Sequence, residues 1–403
     1  MMTRLQWVVF IGLGVCGLVA TVAYAETRTQ AMAGAGVSNG TPLQAGYLNP
    51  ALMITNERAV VFPSFTFEGA DPHGVVDRVT EFQRDYKQLE TLFSEGDLEE
   101  IQQAREQLAS SFERIKGSLR FNASFYALAS IPLEQFSAGL YVRVEPRLFT
   151  GTKLVEADHT LIENARSPND LTDLRSSALV VGATQSELGA VFGKRFESDQ
   201  GSWSVGVSPK VQRLDAYAYA DTLEHFDDTQ FDAAQYSTYQ SVANIDLGFT
   251  YTRGPWSLGV VGRNLLEHEL ASVPFFVAET LHPIDYRFEP EYVLGVGWRS
   301  RGWLVSADIN LNAQNYLRMA PWSQRLLFGD VYQHQFVRLG AEWQKSPNVQ
   351  LRFGIRHDLK ALYTDTLSAG AGLTLYPNIH LNWSATYNRN DRFGGGFQFV
   401  YGF

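Results

Sequence analysis

The chain has 403 residues, 45% of them hydrophobic and 19% charged, and its 43 acidic against 33 basic residues leave a formal charge of -10. Low charge together with 18 Tyr, 26 Phe and 34 Gly residues excludes a disordered solvating chain, and the acidic balance excludes a nucleic-acid binder. Length alone fits two or three soluble domains or one closed β architecture.

The first segment, 1–25, reads as an export signal. Arg4 supplies a positive n-region, Leu5 to Val22 an apolar stretch, and Ala23-Tyr24-Ala25 a small-x-small cleavage site ahead of Glu26. The single cysteine, Cys16, lies inside it, and the preceding Leu13-Gly14-Val15 fits a lipoprotein signal poorly. Cleavage after Ala25 would leave a chain with no disulfide framework, no thiolate metal site and no thiol nucleophile.

Residues 26–58 form a second segment. It contains Ala31-Met32-Ala33-Gly34-Ala35-Gly36-Val37 and then Leu48-Asn49-Pro50-Ala51-Leu52. Small residues at this density favour close packing of backbone against a surrounding wall, and Asn-Pro sets a rigid turn. Residues 75–116 read as a helical hairpin: Val76, Val79, Phe82, Tyr86 and Leu89 keep helical spacing, and Ile101, Leu108, Phe112 and Ile115 resume it after Ser94-Glu95-Gly96-Asp97. Asp97 followed by Glu100 marks the second helix start. By position the hairpin belongs to a first external loop, as a cap over a barrel mouth or as a loop stiffener.

From Leu119 onward the hydrophobic period is 2, and no run of 18 apolar residues follows the signal, so helical membrane spans are excluded. Ala138, Leu140, Val142 and Val144 oppose Gly139, Tyr141, Arg143 and Glu145; Val349, Leu351, Phe353 and Ile355 oppose Gln350, Arg352, Gly354 and Arg356. One face is aliphatic with aromatics near strand ends, and the other mixes Gly, Ser, Asn, Arg and Glu, as lipid outside and a polar lumen inside require. The expected fold is an all-β transmembrane antiparallel β-barrel over 59–403, with strands at about 59–67, 119–130, 135–149, 177–197, 202–219, 237–253, 256–266, 285–299, 302–313, 332–345, 348–359, 365–376, 379–389 and 394–403. Short links such as Asp199-Gln200-Gly201, Gly254-Pro255 and Ser346-Pro347-Asn348 alternate with long ones, the pattern of periplasmic turns and external loops. Phe397, Phe399, Tyr401 and Phe403 share one face of the last strand and read as an outer-membrane insertion signal for the barrel assembly machinery.

Charges in these strands must face the lumen, because a charge facing lipid at the midplane costs about 2–4 kcal/mol. Arg120, Arg143, Arg147, Arg263, Arg299, Arg338, Arg352 and Arg356 all fit that register, with Glu145, Asp246, Asp308 and Glu342 as candidate partners. They would line a path for a ligand carboxylate or form a salt-bridged network that pins the second segment. The histidines at 73, 159, 225, 268, 282, 334, 357 and 380 include no pair at i, i+2 or i, i+4, so no metal cluster, cofactor or catalytic base is expected and the chain is not read as an enzyme. His357 falls on the lipid-facing register.

With Asn49-Pro50-Ala51 behind the Gly34 and Gly36 run and an aromatic end, the sequence resembles the FadL-type outer-membrane transporters of hydrophobic compounds, and looks closest to the branch of TraF-like conjugal transfer proteins. The resemblance implies a 14-stranded barrel with Asn49, Pro50, Ala51, Gly34 and Gly36 in an N-terminal hatch within the lumen, and a ligand that enters from outside and leaves sideways or toward the periplasm. The expected location is the outer membrane of a Gram-negative bacterium. Two functions fit: binding or passive transport of a small hydrophobic molecule, or a structural role with an envelope protein partner in a conjugation or secretion apparatus.

Overall fold

In a computed structural model the described residues are 27–403, apart from 71–73, 116, 228, 231–232, 278–279, 283, 316, 320–332, 389–391 and 403. The expected export signal and Phe403 lie outside them. Among the described residues there are four α-helices: α1 (Thr27–Ala31), α2 (Val75–Glu95), α3 (Leu98–Arg114) and α4 (Glu156–Asn164). The strands are β1 (Ala59–Ala70), β2 (Arg120–Pro132), β3 (Ser137–Lys153), β4 (Ser177–Ser198), β5 (Gly201–Thr222), β6 (Ser237–Arg253), β7 (Trp256–Arg263), β8 (His268–Ala271), β9 (Phe275–Val277) and β10 (Thr280–His282). They continue as β11 (Ile284–Phe288), β12 (Glu291–Ser300), β13 (Trp303–Asn310), β14 (Leu317–Met319), β15 (Phe336–Ser346), β16 (Val349–Asp358), β17 (Thr366–Tyr376), β18 (Ile379–Asn388) and β19 (Arg392–Gly402).

Fourteen of these strands, β1 to β7, β12, β13 and β15 to β19, pair antiparallel with their chain neighbours, and β1 closes the ring on β19. Closure removes both sheet edges, the condition for placing strands in lipid. Leu140, Leu188, Val211, Leu247, Leu339, Phe353, Ile355 and Leu367 are exposed on the outside, whereas Tyr141, Glu187, Gln212 and Arg352, one residue out of phase with them, are buried. This is the alternation expected of lipid outside and a filled lumen inside. At the end that carries the short turns, Phe196 stacks on Trp203 at 4.1 Å, Trp303 on Trp343 at 5.8 Å, and Phe62 meets Phe399 edge-on at 5.3 Å. Such aromatics mark a membrane interface.

One expected strand divides. The sequence pattern runs through 285–299, but Pro290 removes a ladder donor, so Ile284–Phe288 leaves the barrel and only Glu291–Ser300 stays in it. The released piece, β11, pairs with β8 and β14 in a three-stranded sheet, beside the β9–β10 hairpin. β4 and β5 run for 22 residues each, about twice what a tilted crossing needs, and so rise well beyond the bilayer.

Both faces of this raised wall are covered. On its inner face Phe149, Leu179, Val181, Leu214, Ala216 and Ala218 pack against Leu270, Phe275, Val277, Ile284, Tyr286 and Phe288, and the Tyr286 hydroxyl donates to the Tyr217 carbonyl at 2.8 Å. The small β-sheets therefore form the lid. On the outer face Leu148, Val180, Tyr217 and Tyr219 have the outward parity of Leu140, Leu188 and Val211, yet they are buried. Phe226 and Val75, Val79, Thr80 and Gln83 of α2 lie over this flank. The helical hairpin expected at 75–116 forms as α2 and α3, with Asp97 capping the second helix: its Oδ1 accepts from Glu99 and Glu100 N–H at 2.9 Å. It does not cap the mouth. Val79, Phe82, Leu89, Ala104, Leu108 and Phe112 make a core with Ile162 of α4, Leu171, Leu174 and Leu223, and that core stands against the flank of the wall.

Candidate functional site

The segment 27–53 lies inside the barrel as a plug. Its order comes from capping and backbone capture more than from regular structure. Asn49 is wholly buried; its Oδ1 accepts from Ala51 N–H at 3.0 Å, and its Nδ2 donates to Val37 O at 2.9 Å within the plug and to Phe249 O of β6 at 3.3 Å. Pro50 then occupies the first position of a single 3-10 turn, where its missing N–H costs nothing. Gly34 has φ +90, and a Cβ there would stand 2.9 Å from Arg338 Cδ, so glycine is required both by the backbone and by the neighbour.

Charged wall groups fasten the plug. Asp308 of β13 accepts from Gly36 N–H at 2.8 Å and from Val37 N–H at 3.0 Å. Arg28 reaches Glu342 of β15 at 2.8 Å, and Glu342 also takes Arg352 of β16 at 2.7 Å. Arg28 donates further to Gln44 Oε1 at 2.8 Å. Tyr126 and Arg263 reach in to the carbonyls of Leu43 and Tyr47, at 3.0 and 2.9 Å.

The wall is cut back to receive this backbone. Four glycine pairs face each other across neighbouring strands: Gly193 and Gly206, Gly206 and Gly248, Gly259 and Gly295, Gly340 and Gly354. A Cβ on Gly248 would fall on Asn49 Oδ1, one on Gly206 on the Pro50–Ala51 peptide, one on Gly259 2.7 Å from Ser38 Cα, and one on Gly340 2.7 Å from Met32 Cβ. Real Cβ atoms do not come this close to backbone, so these positions fix how deep the plug sits.

Between plug and lid lies a cavity of about 230 Å³. Gly34, Tyr47 and Leu48 form its floor, and Phe288 and Glu289 border it on the lid side. Its walls carry Arg143, Arg147, Arg263, Arg338 and Arg356 with Glu68, Glu145 and Glu291. The ion pairs are Arg147 with Glu145 at 3.2 Å, Arg263 with Glu291 at 3.0 Å, and Arg356 with Glu68 at 2.7 Å, while Arg143 turns to Glu187 at 2.9 Å. Below them Lys210, fully buried, is held between Glu187 and Asp246 at 3.2 and 2.9 Å. One side of the cavity is aromatic: Phe336 lies 4.7 Å from His334 and 5.7 Å from Tyr363, with the guanidinium carbons of Arg338 and Arg356 5.1 and 4.9 Å from its ring centre. Burial pushes the imidazole of His334, which lies outside the spanning strands, down to about 3.

The cavity also abuts a lapse in the barrel wall. β2 and β3 keep one register from Asn122 opposite Arg147 to Phe125 opposite Val144, but the two pairs between, Ala123 with Pro146 and Ser124 with Glu145, make no ladder bridge, while on their other sides Ala123 and Ser124 pair with Phe67 and Thr66 of β1. Pro146 has no N–H to give, which is why pairing fails there. Asn122, Ala123, Ser124, Glu145 and Arg147 all line the cavity, so the lapse lies between lumen and bilayer.

Each expected lumen arginine lies where the register put it, and of the expected partners Glu145 takes Arg147 and Glu342 takes Arg352, while Asp246 and Asp308 turn to other groups. Arg143, Arg147, Arg338 and Arg356 meet at the cavity, Arg120 donates to Leu362 O above it, and Arg352 with Glu342 grips the plug beneath. Arg299 reaches only the carbonyl of Asn39, at 3.5 Å. Asp308 holds plug backbone, and Asp246 pairs with Lys210, which period-2 reading had not singled out. Arg28, Tyr47, Glu68, Glu187 and Glu291 were also passed over. Arg28 and Tyr47 lie in the irregular segment, and Glu291 sits just past the proline that divides a strand. Phe397, Phe399 and Tyr401 lie in the last strand, where Phe397 is exposed on the outer wall. His357 faces outward at the external end of β16, 2.6 Å from Asp365.

The model of the family described as F plasmid transfer operon TraF protein matches residues 46–310. The chain belongs to this family. The match starts within the plug and runs through the cavity wall to the end of β13. Among curated proteins no sequence matches at a significant level. Solved structures share the fold at low identity. The CymD monoaromatic hydrocarbon channel superimposes with a TM-score of 0.54 at 12% identity, covering 96% of this chain and 99% of its own. A Pseudomonas aeruginosa FadL homologue gives 0.53 at 9%, with the same coverage, and the Ralstonia pickettii toluene transporter TbuX gives 0.50 at 10%, covering 95% and 98%. The fold is that of the FadL-type barrels.

Proposed function

We propose that this protein is an outer-membrane barrel that binds a small hydrophobic or amphipathic molecule between lid and plug and releases it sideways into the bilayer, without a catalytic step. The observation that carries this reading is the lapse in bridging between β2 and β3 at Pro146, opposite Ala123, beside the lumen cavity that Asn122, Ala123, Ser124, Glu145 and Arg147 line. The seated plug supports it as well, since Gly206, Gly248, Gly340 and Gly354 hold the plug backbone at van der Waals contact and leave the side wall as the less obstructed way out. Two proteins of like fold, a toluene transporter and a monoaromatic hydrocarbon channel, are consistent with such a route.

The test is a double variant, Ala123→Cys with Pro146→Cys, in a chain whose only other cysteine is Cys16 of the expected signal. The two positions face each other by the register on either side of the lapse. In proteoliposomes, uptake of radiolabelled toluene is expected to fall on oxidation and to return on adding reductant. Uptake indifferent to oxidation, with the disulfide verified by mass, rules out the lateral route.

A second reading has the family's own description in its favour, which names a plasmid transfer operon. On that reading the α2–α3–α4 unit is a docking surface for an envelope partner. Removing residues 75–114 separates the two, since it would abolish partner capture and leave toluene uptake intact.

A further inference from the structure

The cavity is not the greasy slot that a neutral hydrocarbon prefers. Five arginines border it, and the carboxylates around them are already engaged: Glu68 by Arg356, Glu145 by Arg147 and Ser124, Glu291 by Arg263 and Asn310. Donors remain over. The Nε–H groups of Arg263 and Arg356 are buried and have no hydrogen-bond partner among the described residues. An unmet buried donor costs about 1–3 kcal/mol, more when charged; both side chains line the cavity wall, so a small turn of either guanidinium toward a guest with acceptor oxygens would relieve that cost. Glu291, shared by Arg263 and Arg338, ties these two groups together, and Phe336 lies between Arg338 and Arg356, so these arginine side chains and the aromatic wall of His334, Phe336 and Tyr363 line one cavity. The volume of about 230 Å³ is below the ~300–1,000 Å³ usual for drug-sized ligands, which limits the guest to something compact.

We propose that the lumen cavity is a binding site for a compact aromatic acid, its ring against Phe336 and Tyr363 and its carboxylate taken by Arg356 and Arg263. This deepens the proposed function and rests on it in one respect only, that the lumen admits ligand. The arginines supply charge-assisted donors to the carboxylate, and a planar ring has offset or edge-on partners in the aromatic wall. A neutral molecule of the same shape offers the two guanidinium groups no charged acceptor and is discriminated against for that reason.

The experiment uses the full-length mature barrel in detergent and fluorine NMR of two probes, 4-fluorobenzoate and 4-fluorobenzyl alcohol. The expected result is that 4-fluorobenzoate binds at least about tenfold more tightly, the factor one charge-assisted hydrogen bond supplies. Arg356→Gln is expected to remove that preference, with heat-modifiable gel migration verifying the closed barrel. If that variant fails to close, Phe336→Leu serves in its place. It leaves every ion pair intact and is expected to weaken 4-fluorobenzoate while sparing 4-fluorocyclohexanecarboxylate. Equal affinity for acid and alcohol, or an acid preference that survives Arg356→Gln, overturns the proposal. Toluene uptake that persists in proteoliposomes while 4-fluorobenzoate fails to bind overturns the acid site and leaves the lateral route standing. Tight 4-fluorobenzoate binding without any uptake retains the site and removes the transport reading.

Discussion

Replacing Asn49 with Ala tests whether the plug is a fixed part of the barrel. The side chain makes three hydrogen bonds, to Ala51 N–H, Val37 O and Phe249 O, and all of it is buried. At about 0.5–1.5 kcal/mol for each bond, with the loss of a helix-type cap included in that sum, the variant loosens the plug by about 2–4 kcal/mol. A loss of that size raises the unseated fraction some 30- to 1,000-fold. The assay is limited proteolysis of the N-terminal segment in intact proteoliposomes, read beside single-channel conductance. The wild type is expected to resist cleavage between residues 27 and 53 and to conduct little; Asn49→Ala should be cleaved faster and flicker open. Gly248→Val, which pushes a side chain onto Asn49 Oδ1, should give the same behaviour, and the double variant should be no worse than either alone, because both remove one contact. Protection and conductance unchanged in Asn49→Ala would refute the view that these bonds seat the plug.

Other outcomes follow from the same geometry. Glu342→Gln leaves Arg28 and Arg352 facing each other without their shared carboxylate; a cost of about 3–5 kcal/mol is expected, read as a lower temperature of heat modification. Phe353→Arg puts a charge on the lipid face near the middle of β16, where about 2–4 kcal/mol is expected; refolding yield into thin-bilayer vesicles measures it, with the inward Gly354 of the next register as a separate control. His334 is buried and neutral with its pKa held near 3, so the unfolded cavity wall around it binds more protons than the folded one between that value and about 6.5. The stability this wall gains is therefore complete above about pH 6.5 and declines as pH falls. Hydrogen-exchange protection factors at Gln314 and His334 and in the first residues of β15, corrected for the intrinsic rate, should fall below pH 6 in the wild type and lose that dependence in His334→Gln.

The barrel was legible because lipid and lumen impose opposite demands on alternate residues, and a strict period of 2 survives in the sequence whatever the strands pair with. Strand number, the inward arginines and the alternation of short and long links all follow from that local rule. Asn49-Pro50 and Gly34 likewise carried their own conformational preferences, so the irregular plug was readable as a rigid segment. The helices at 75–114 were legible too, through their spacing and the Asp97–Glu100 cap. Tertiary structure decided where things meet. Nothing in the spacing of Val79 and Phe82 says that they cover the outer flank of β3 to β5 and leave the mouth to β8 and β11, because an apolar helix face fits either surface. Nor does the sequence pair Arg28 with Glu342 across 314 positions, or lay Met32 against Gly340 and Gly354; such contacts exist only once the ring closes on the plug. The period fixes which way each side chain points, while closure fixes what it meets there.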